Sequence, residues 1–295
     1  MIAAPTRRGF LAAAGILLAA ASPVAAAPVP RLAAIDWAMM ETAIALGHMP
    51  VAGAELIRYR ADVAQPVIPE GVVDLGLRGA PNFELLQLVR PGLILTSPYY
   101  TRYEWRLRDI APVLSLTFYV RGEPPLPRAL TALEDMGQAI GAGAAGAEAR
   151  QAAEAELDRI AARLLPFQDR PVALIDIGDG RHMRMFGFDS LFGNTLGRLG
   201  LRNARSQPTA FGFMAPVPLE ALAEMPEARV VVIGTPPLAA RQALRTSVLW
   251  HALPPVAENR VFALPGLNPF GAVPSALRFA AELERALFTG PSIIA

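Results

Sequence analysis

The amino-acid sequence predicts an α/β protein whose two lobes are joined by one long, rigid helix. Short apolar runs alternate with amphipathic segments from Arg31 onward, which is typical of strands that alternate with helices. Residues 144–165 are rich in alanine, glutamate and arginine and contain no proline, so they favour a helix. The alternation then starts again, and the two halves match in the order and size of their elements.

The first half contains five short segments with the character of strands. They cover residues 32–35, 50–53, 72–76, 93–96 and 113–116. One helix is predicted at 40–46, followed by Gly47 at the position where helices commonly end. Another is predicted from Asn82 to the break at Pro91-Gly92. These elements are sufficient for one small α/β lobe.

Residues 144–165 are the predicted connection between the halves. Apolar residues recur through the segment at helical spacing, and a helix of that extent would be ~33 Å long at ~1.5 Å per residue. Pro166 and Pro171 end it. A single helix between two α/β halves is a rigid connector rather than a flexible linker. The alternative is an ordinary surface helix of one larger domain.

The second half repeats the pattern of the first. Strands are predicted at 172–175, 229–233 and 260–264, and the second of these is strongly β-branched. Helical segments are predicted at 191–199, 219–222, 248–250 and 276–287.

Residues 1–26 have the pattern of an export signal. Arg7-Arg8 precedes an apolar run over 11–21, and the small residues around Ala26 fit a cleavage site. Paired arginines followed by Phe10-Leu11 are typical of a twin-arginine signal. A membrane anchor is the alternative, but the run is shorter than the ~20 residues that a spanning helix needs. We therefore predict an exported chain with lobes at 27–140 and 168–295 and a connecting helix at 141–167.

Composition and motifs argue against several functions. Twenty-seven basic and 26 acidic residues leave a net charge of +1, and no basic cluster is available for nucleic acid. There is no cysteine, and His48, His182 and His251 are far apart, which disfavours a protein-held metal site. A nucleophile elbow, a phosphate-binding loop and a dinucleotide fingerprint after a strand are all missing. We predict no enzymatic activity and no cofactor, and an exported hydrolase is the alternative from another class.

Polar and aromatic residues follow several predicted strands, at the edge where α/β sheets bind ligands. Arg78 lies between glycines after the strand at 72–76, and Tyr99 and Tyr100 follow the strand at 93–96. The second half adds Arg202, Arg205, Phe211, Phe213, Asn268 and Phe270. Because these residues fall on corresponding edges of the two halves, they are the candidates for a ligand-binding site.

These stretches resemble one known family. Residues 74–86 read Asp-Leu-Gly-Leu-Arg-Gly-Ala-Pro-Asn-Phe-Glu-Leu-Leu, and 90–95 read Arg-Pro-Gly-Leu-Ile-Leu. Both are similar to the N-lobe signature of periplasmic iron-siderophore and cobalamin-binding proteins, and more specifically of the ferrichrome-type, ferric hydroxamate binders. Supporting stretches lie at 34–37, 45–47, 181–192, 247–250 and 265–272. The resemblance covers nearly all of the mature chain.

The resemblance implies a bilobal class III solute-binding fold with the ligand in a shallow cleft between the lobes. It implies that Arg78 and Tyr100 contact the iron–hydroxamate centre, with Trp37 also at the site. An arginine fork and a phenol can donate hydrogen bonds to hydroxamate oxygens. The iron needs no protein ligand, because the siderophore already fills its coordination sphere.

One departure concerns the C-lobe wall. The family's ferrichrome binder carries tryptophan and tyrosine there, whereas this chain has Gly212 between Phe211 and Phe213, followed later by Asn268 and Phe270. We therefore expect a less aromatic and roomier pocket, with the particular siderophore left open.

The resemblance also implies a monomeric periplasmic protein that delivers its ligand to an inner-membrane ABC permease. Glu84 and Glu220 match the acids that dock onto permease arginines; the alternative is that they are acids favoured by a helix N-terminus. The same scaffold could bind another chelate. Cobalamin, haem with Tyr99 or Tyr100 as axial ligand, and a catecholate siderophore are the alternatives, the last of these drawing on Arg102, Arg202 and Arg205.

Overall fold

A computed structural model describes residues 29–207, 209 and 216–294. The N-terminal sheet has five parallel strands: β1 (Leu32–Ala34), β2 (Ala52–Gly53), β3 (Val73–Asp74), β4 (Leu93–Thr96) and β5 (Val113–Ser115). Their order across the sheet is β3-β2-β1-β4-β5. The order therefore reverses between β1 and β4, as in doubly wound sheets. All five predicted strands are confirmed, and β4 has the predicted bounds.

Four helices belong to this sheet: α1 (Trp37–Ala45), α2 (Leu56–Asp62), α3 (Phe83–Leu88) and α4 (Glu104–Arg108). The side chain of Asp36 accepts hydrogen bonds from two N–H groups of the first turn of α1, so this helix begins before residue 40. Asn82 caps α3 in the same way. Gly47 follows α1 with φ +81°, which confirms the predicted helix end. The sequence did not predict α2 or α4.

Two helices connect the sheets, α5 (Leu126–Ala139) and α6 (Gly143–Leu164). The predicted long helix is confirmed as α6, whereas α5 was not predicted. The two helices cross closely at Gly137 and Gly146, because a Cβ at Gly146 would lie 2.6 Å from the carbonyl oxygen of Leu133. Glycine is therefore required there for the two backbones to approach each other.

The C-terminal sheet contains β6 (Val172–Ile177), β7 (His182–Met185), β8 (Val217–Pro218), β9 (Arg229–Ile233) and β10 (Val261–Leu264), in the order β10-β9-β6-β7-β8. β6, β9 and β10 are parallel, while β7 and β8 are antiparallel additions that the sequence did not predict. Its helices are α7 (Leu191–Arg198), α8 (Leu238–Thr246), α9 (Val248–Ala252), α10 (Pro254–Ala257) and α11 (Val273–Thr289).

One hydrophobic core is shared by both sheets. It takes one face of each sheet together with α1, α5, α6, α7 and α11, so the C-terminal helix packs against the N-terminal half. The predicted lobe boundaries at 27–140, 141–167 and 168–295 stay predictions, and the predicted export signal lies outside the described residues. No helix in the described part of the chain has the length and apolar character needed to span a membrane.

Candidate ligand-binding cleft

A cleft of about 580 Å³ opens at the carboxyl ends of the strands of the N-terminal sheet. Every strand of that sheet contributes lining residues: Asp36 after β1, Glu55 after β2, Arg78 after β3, residues 97–100 after β4 and 117–119 after β5. Phe270, which follows β10, lines the cleft from the C-terminal sheet. The volume is in the range of small-molecule sites, about 300–1,000 Å³.

Asp36 and Ser97 lie at the point where the strand order reverses. The Oγ of Ser97 donates a hydrogen bond to Oδ2 of Asp36 at 2.8 Å, which joins the loops after β1 and β4. Burial raises the pKa of Asp36, although hydrogen bonds from Ser97 and from the start of α1, and the charge of Arg78, oppose the rise. This carboxyl group is therefore a fixed polar element at the base of the cleft.

Arg78 is held by contacts with three other residues. Its Nε donates to Oε2 of Glu55 at 2.9 Å, and its backbone N–H donates to the other oxygen of that carboxylate at 3.2 Å. Its guanidinium carbon lies 3.9 Å from the ring centroid of Trp37, a cation–π distance. The Tyr103 hydroxyl donates to the Arg78 carbonyl. The side chain is 21% exposed, so the guanidinium is held in place and still reaches the cleft.

Glu55 holds Arg78 from an unusual backbone conformation. Its φ of 54° and ψ of 39° are left-handed, which costs a non-glycine residue on the order of 1 kcal/mol. The hydrogen bond from its N–H to the Gly76 carbonyl, 2.7 Å, helps to hold this conformation. Such strain is common at functional sites, where the surrounding structure fixes a side chain in one place.

The tyrosines come from a 3₁₀ segment, Pro98–Tyr103, directly after β4. Tyr99 is 67% exposed at the rim, while Tyr100 is half-buried in the wall. Burial raises the pKa of Tyr100 to about 12, with the Asp36 carboxylate adding to the rise and Arg78 opposing it. Tyr100 is therefore a neutral phenol at neutral pH, able to donate an O–H hydrogen bond beside Arg78.

The described part of the opposite wall consists of Phe270 on a short loop. The edge of its ring packs on Tyr119, with centroids 5.5 Å apart and planes at 78°. The Tyr119 hydroxyl donates to the Gly271 carbonyl at 2.6 Å, so a residue that follows β5 supports a loop that follows β10.

Other predicted site residues lie in different places. Trp37 and Asn268 are buried behind the cleft surface: Trp37 supports Arg78, and the Asn268 amide is hydrogen-bonded to Glu41. Phe211 and Phe213 are outside the described residues. Glu84 and Glu220 are exposed, in the first turns of α3 and of the 3₁₀ segment Leu219–Glu224.

Asp36, Glu55 and Ser97 line the cleft but were not among the predicted site residues. Each follows a strand of the N-terminal sheet within two residues. The rule that selected Arg78 and Tyr100 would therefore have found them if it had been applied to every strand end, including those with small acidic or hydroxyl side chains.

Two α/β lobes, a connecting helix and a cleft at the strand ends are the features of a bilobal solute-binding protein. The model of a family described as periplasmic binding protein matches residues 32–266, and this chain belongs to that family. The sequence is 31% identical over 257 residues to the iron(3+)-hydroxamate-binding protein FhuD of Escherichia coli (strain K12), covering 87% of this chain and 86% of the relative.

Solved structures share the fold. A siderophore-binding protein FhuD from Vibrio cholerae, bound to Fe³⁺–Desferal, superposes with a TM-score of 0.81 at 24% identity, covering 89% of this chain and 99% of that one. The periplasmic catecholate-siderophore binding protein VctP from the same organism gives a TM-score of 0.64 at 15% identity, with 90% and 95% covered. Because a protein bound to Fe³⁺–Desferal and a catecholate-siderophore binding protein share this fold, the fold alone does not indicate which chelate is bound.

Proposed function

We propose that this protein is the solute-binding component of an ABC importer and that it binds a ferric hydroxamate siderophore in the cleft. The relative that is 31% identical is an iron(3+)-hydroxamate-binding protein, and the likeness extends over most of both chains. The observation that carries the proposal is Arg78, held by Glu55 and Trp37 beside the neutral phenol of Tyr100.

The chemistry of this pair suits a hydroxamate chelate. Hydroxamate oxygens carry negative charge toward the metal, and they accept hydrogen bonds from a guanidinium and from a phenol. Glu55 occupies the Nε edge of Arg78, so the ligand would meet the terminal guanidinium nitrogens, beside the Tyr100 phenol. The iron is the transported ion and is already coordinated by the siderophore. The protein therefore needs to supply only hydrogen-bond donors to the siderophore.

The charge of the cleft favours a hydroxamate over a catecholate. Among the described lining residues, Arg78 is opposed by Asp36 and Glu55, and positions 208 and 210–215 carry no charged side chain. A ferric tris-hydroxamate is neutral, because three singly charged groups offset the metal. A ferric tris-catecholate keeps a negative charge, and among the described lining residues this cleft offers it one cation, already paired with Glu55.

A titration panel tests the ligand. The mature protein is titrated with ferrichrome, ferrioxamine, coprogen, a ferric tris-catecholate and haemin, with intrinsic fluorescence as the readout. We expect the hydroxamates to bind tightest and Arg78→Ala to weaken them by about 1.5–3 kcal/mol, the range for a hydrogen bond to a charged group. Arg58→Ala, an exposed arginine on α2 that pairs with Asp62, is the matched control and should bind like the wild type. Tighter binding of the catecholate, or an unchanged affinity in Arg78→Ala, would contradict the proposal.

We propose further that residues 1–26 direct the chain to the periplasm, where it acts as a monomer and docks its permease through Glu84 and Glu220. Both acids are exposed, one on each half of the molecule. Exposed carboxylates at those places can meet arginines of a partner without desolvating a buried charge.

Uptake of radioactive ferric siderophore by whole cells tests the docking. The double variant Glu84→Ala/Glu220→Ala should keep its chelate affinity and lose most uptake, because rim charges act on association with the partner. Glu148→Ala, which removes an exposed acid from α6, is the control and should transport normally. Uptake that survives the double change would mean that docking uses other residues.

A further inference from the structure

Glu41, on α1, is a buried acid that plays no part in lining the cleft. It has no exposed surface, yet both of its carboxyl oxygens receive hydrogen bonds from the segment before and at the start of α11. The donors are Asn268 Nδ2 at 2.8 Å, the Ala272 N–H at 2.8 Å and Ser275 Oγ at 2.9 and 2.8 Å. Tyr59, on α2, approaches at 3.3 Å. We call these five residues the Glu41 network.

The network joins two distant parts of the chain. Glu41 and Tyr59 belong to helices of the N-terminal sheet, whereas the other members follow β10 of the C-terminal sheet. No ion pair to Glu41 is formed by the described residues, so backbone and side-chain dipoles alone solvate this carboxyl group. The start of α11, a helix of 17 residues, is well suited to that, because its free N–H groups and its dipole favour an acid there.

The same network controls the loop that carries Phe270. Oδ1 of Asn268 accepts a hydrogen bond from the Phe270 N–H at 3.1 Å, while the other end of its amide is bound to Glu41. Gly271 is packed so tightly that an added Cβ would lie 2.2 Å from Ser275 Oγ and 2.5 Å from Glu41 Oε2. The backbone on both sides of Phe270 is therefore held against Glu41.

We infer that Glu41 is a positioning residue, which acts from the N-terminal half through Asn268 and Ala272 to set the place of Phe270 on the opposite wall of the cleft. The inference rests on the proposed function only for its ligand readout. It assigns Asn268 to this network and not to direct ligand contact.

Glu41→Gln is the informative substitution. Either orientation of the new amide places its NH2 group against an N–H donor, that of Ala272 or that of Asn268. If the Asn268 amide turns to accept from glutamine, it no longer accepts from Phe270. The variant keeps the size of Glu41, so a change in Phe270 follows from the hydrogen bonds and not from a cavity.

A pair of double-mutant cycles tests the route of action, with ferrichrome as the ligand. Glu41→Gln should weaken binding about threefold to fivefold. The double variant Glu41→Gln/Phe270→Ala should bind little more weakly than Phe270→Ala alone, because both changes act on the same ring. Combined with Arg78→Ala, the effects should multiply. Additive effects with Phe270, coupling to Arg78 alone, or an unchanged affinity in Glu41→Gln would each overturn the inference.

Hydrogen exchange without ligand separates this inference from the proposed function. The amides of Phe270, Gly271 and Ala272 should exchange at least about tenfold faster in Glu41→Gln than in the wild type. Thr42→Val is the matched control: Thr42 is equally buried on α1, but it donates only to Ala38 of its own helix, so exchange should not change. If Glu41→Gln does not fold, Ser275→Ala removes one donor and takes its place. Unchanged exchange refutes the positioning role, whereas a wild type that binds no ferric hydroxamate refutes the proposed function alone.

Discussion

The N-terminal wall of the cleft comes from the ends of five strands, whereas the described part of the C-terminal wall is one aromatic ring on a loop. The first wall is polar, and its central side chain, Arg78, is fixed by Glu55, Trp37 and Tyr103. The second is apolar, and its position depends on hydrogen bonds from the other half of the molecule. Under the proposed function, we expect the first wall to recognise the chelate centre and the second to contact the periphery of the ligand.

The two walls also differ in which parts of the molecule hold their side chains in place. Arg78 is held by residues that follow neighbouring strands of one sheet, so its geometry follows from the fold of a single half. Phe270 is held by Tyr119 and, through Asn268, by Glu41, so its geometry exists only when both halves are packed together. A change in lobe packing would therefore move the second wall and leave the first intact.

The largest effect on ligand affinity is expected when the polar wall loses its planar guanidinium group but keeps a positive charge. Arg78→Lys removes the planar donors, the Nε contact with Glu55 and the stacking on Trp37. Affinity for ferrichrome should fall by about 1.5–3 kcal/mol, as measured by titration. Arg106→Lys is the control, because Arg106 stacks on Phe83 at the same 3.9 Å but does not line the cleft. A loss below about 0.5 kcal/mol would mean that charge alone suffices.

An intermediate effect is expected on the free energy of unfolding as a function of pH. It arises from two buried acids, Asp36 at the base of the cleft and Glu41 behind the apolar wall. Burial raises the pKa of Asp36 above 3.8 and of Glu41 above 4.5. Between those values and the raised ones, the folded chain keeps protons that the unfolded chain has lost. The free energy of unfolding should therefore fall as pH rises through this window, by about 1.4 kcal/mol per acid for each pH unit that separates its folded and unfolded pKa values.

Urea unfolding between about pH 4 and about pH 8 measures this slope. Asp36→Asn and Glu41→Gln should each flatten it, because neither replacement titrates. Thr42→Val, which changes no titrating group, should leave it unchanged. If either replacement instead makes the free energy of unfolding fall more steeply with rising pH, the hydrogen bonds to that acid outweigh its burial.

The regular elements were predictable where the local pattern determines them. β9 is a run of β-branched residues and has the predicted bounds at 229–233, and α6 differs from its prediction by one residue at each end. α5 was missed because prolines surround its start, at 124, 125 and 127, although proline is compatible with a first helical turn. β7 was missed because its buried residues are methionines, which do not favour strands.

The cleft was predictable where its residues follow predicted strands, and Phe270, which follows β10, was found in this way as well. Arg78 and Tyr100 follow strands, and the carboxyl ends of parallel strands share one edge of a sheet. Glu41 is the one acid of α1, a helix whose other residues are mostly apolar and largely buried, but an exposed position is the usual expectation for a glutamate. Its partners on the other half are 227 to 234 residues away in the sequence, so its burial follows from long-range packing and not from a sequence pattern.

The smallest effect is expected on the apolar wall, and it should differ in kind. Phe270→Leu keeps an apolar side chain but loses the edge contact with Tyr119, so affinity for ferrichrome should change by less than about 1 kcal/mol. The ranking of ferrichrome, ferrioxamine and coprogen should change, because these chelates share an iron centre and differ at the periphery. Arg78→Lys, in contrast, should weaken all three alike. If Phe270→Leu lowers the three affinities equally, the second wall contacts the shared centre, and the division of roles between the walls is wrong.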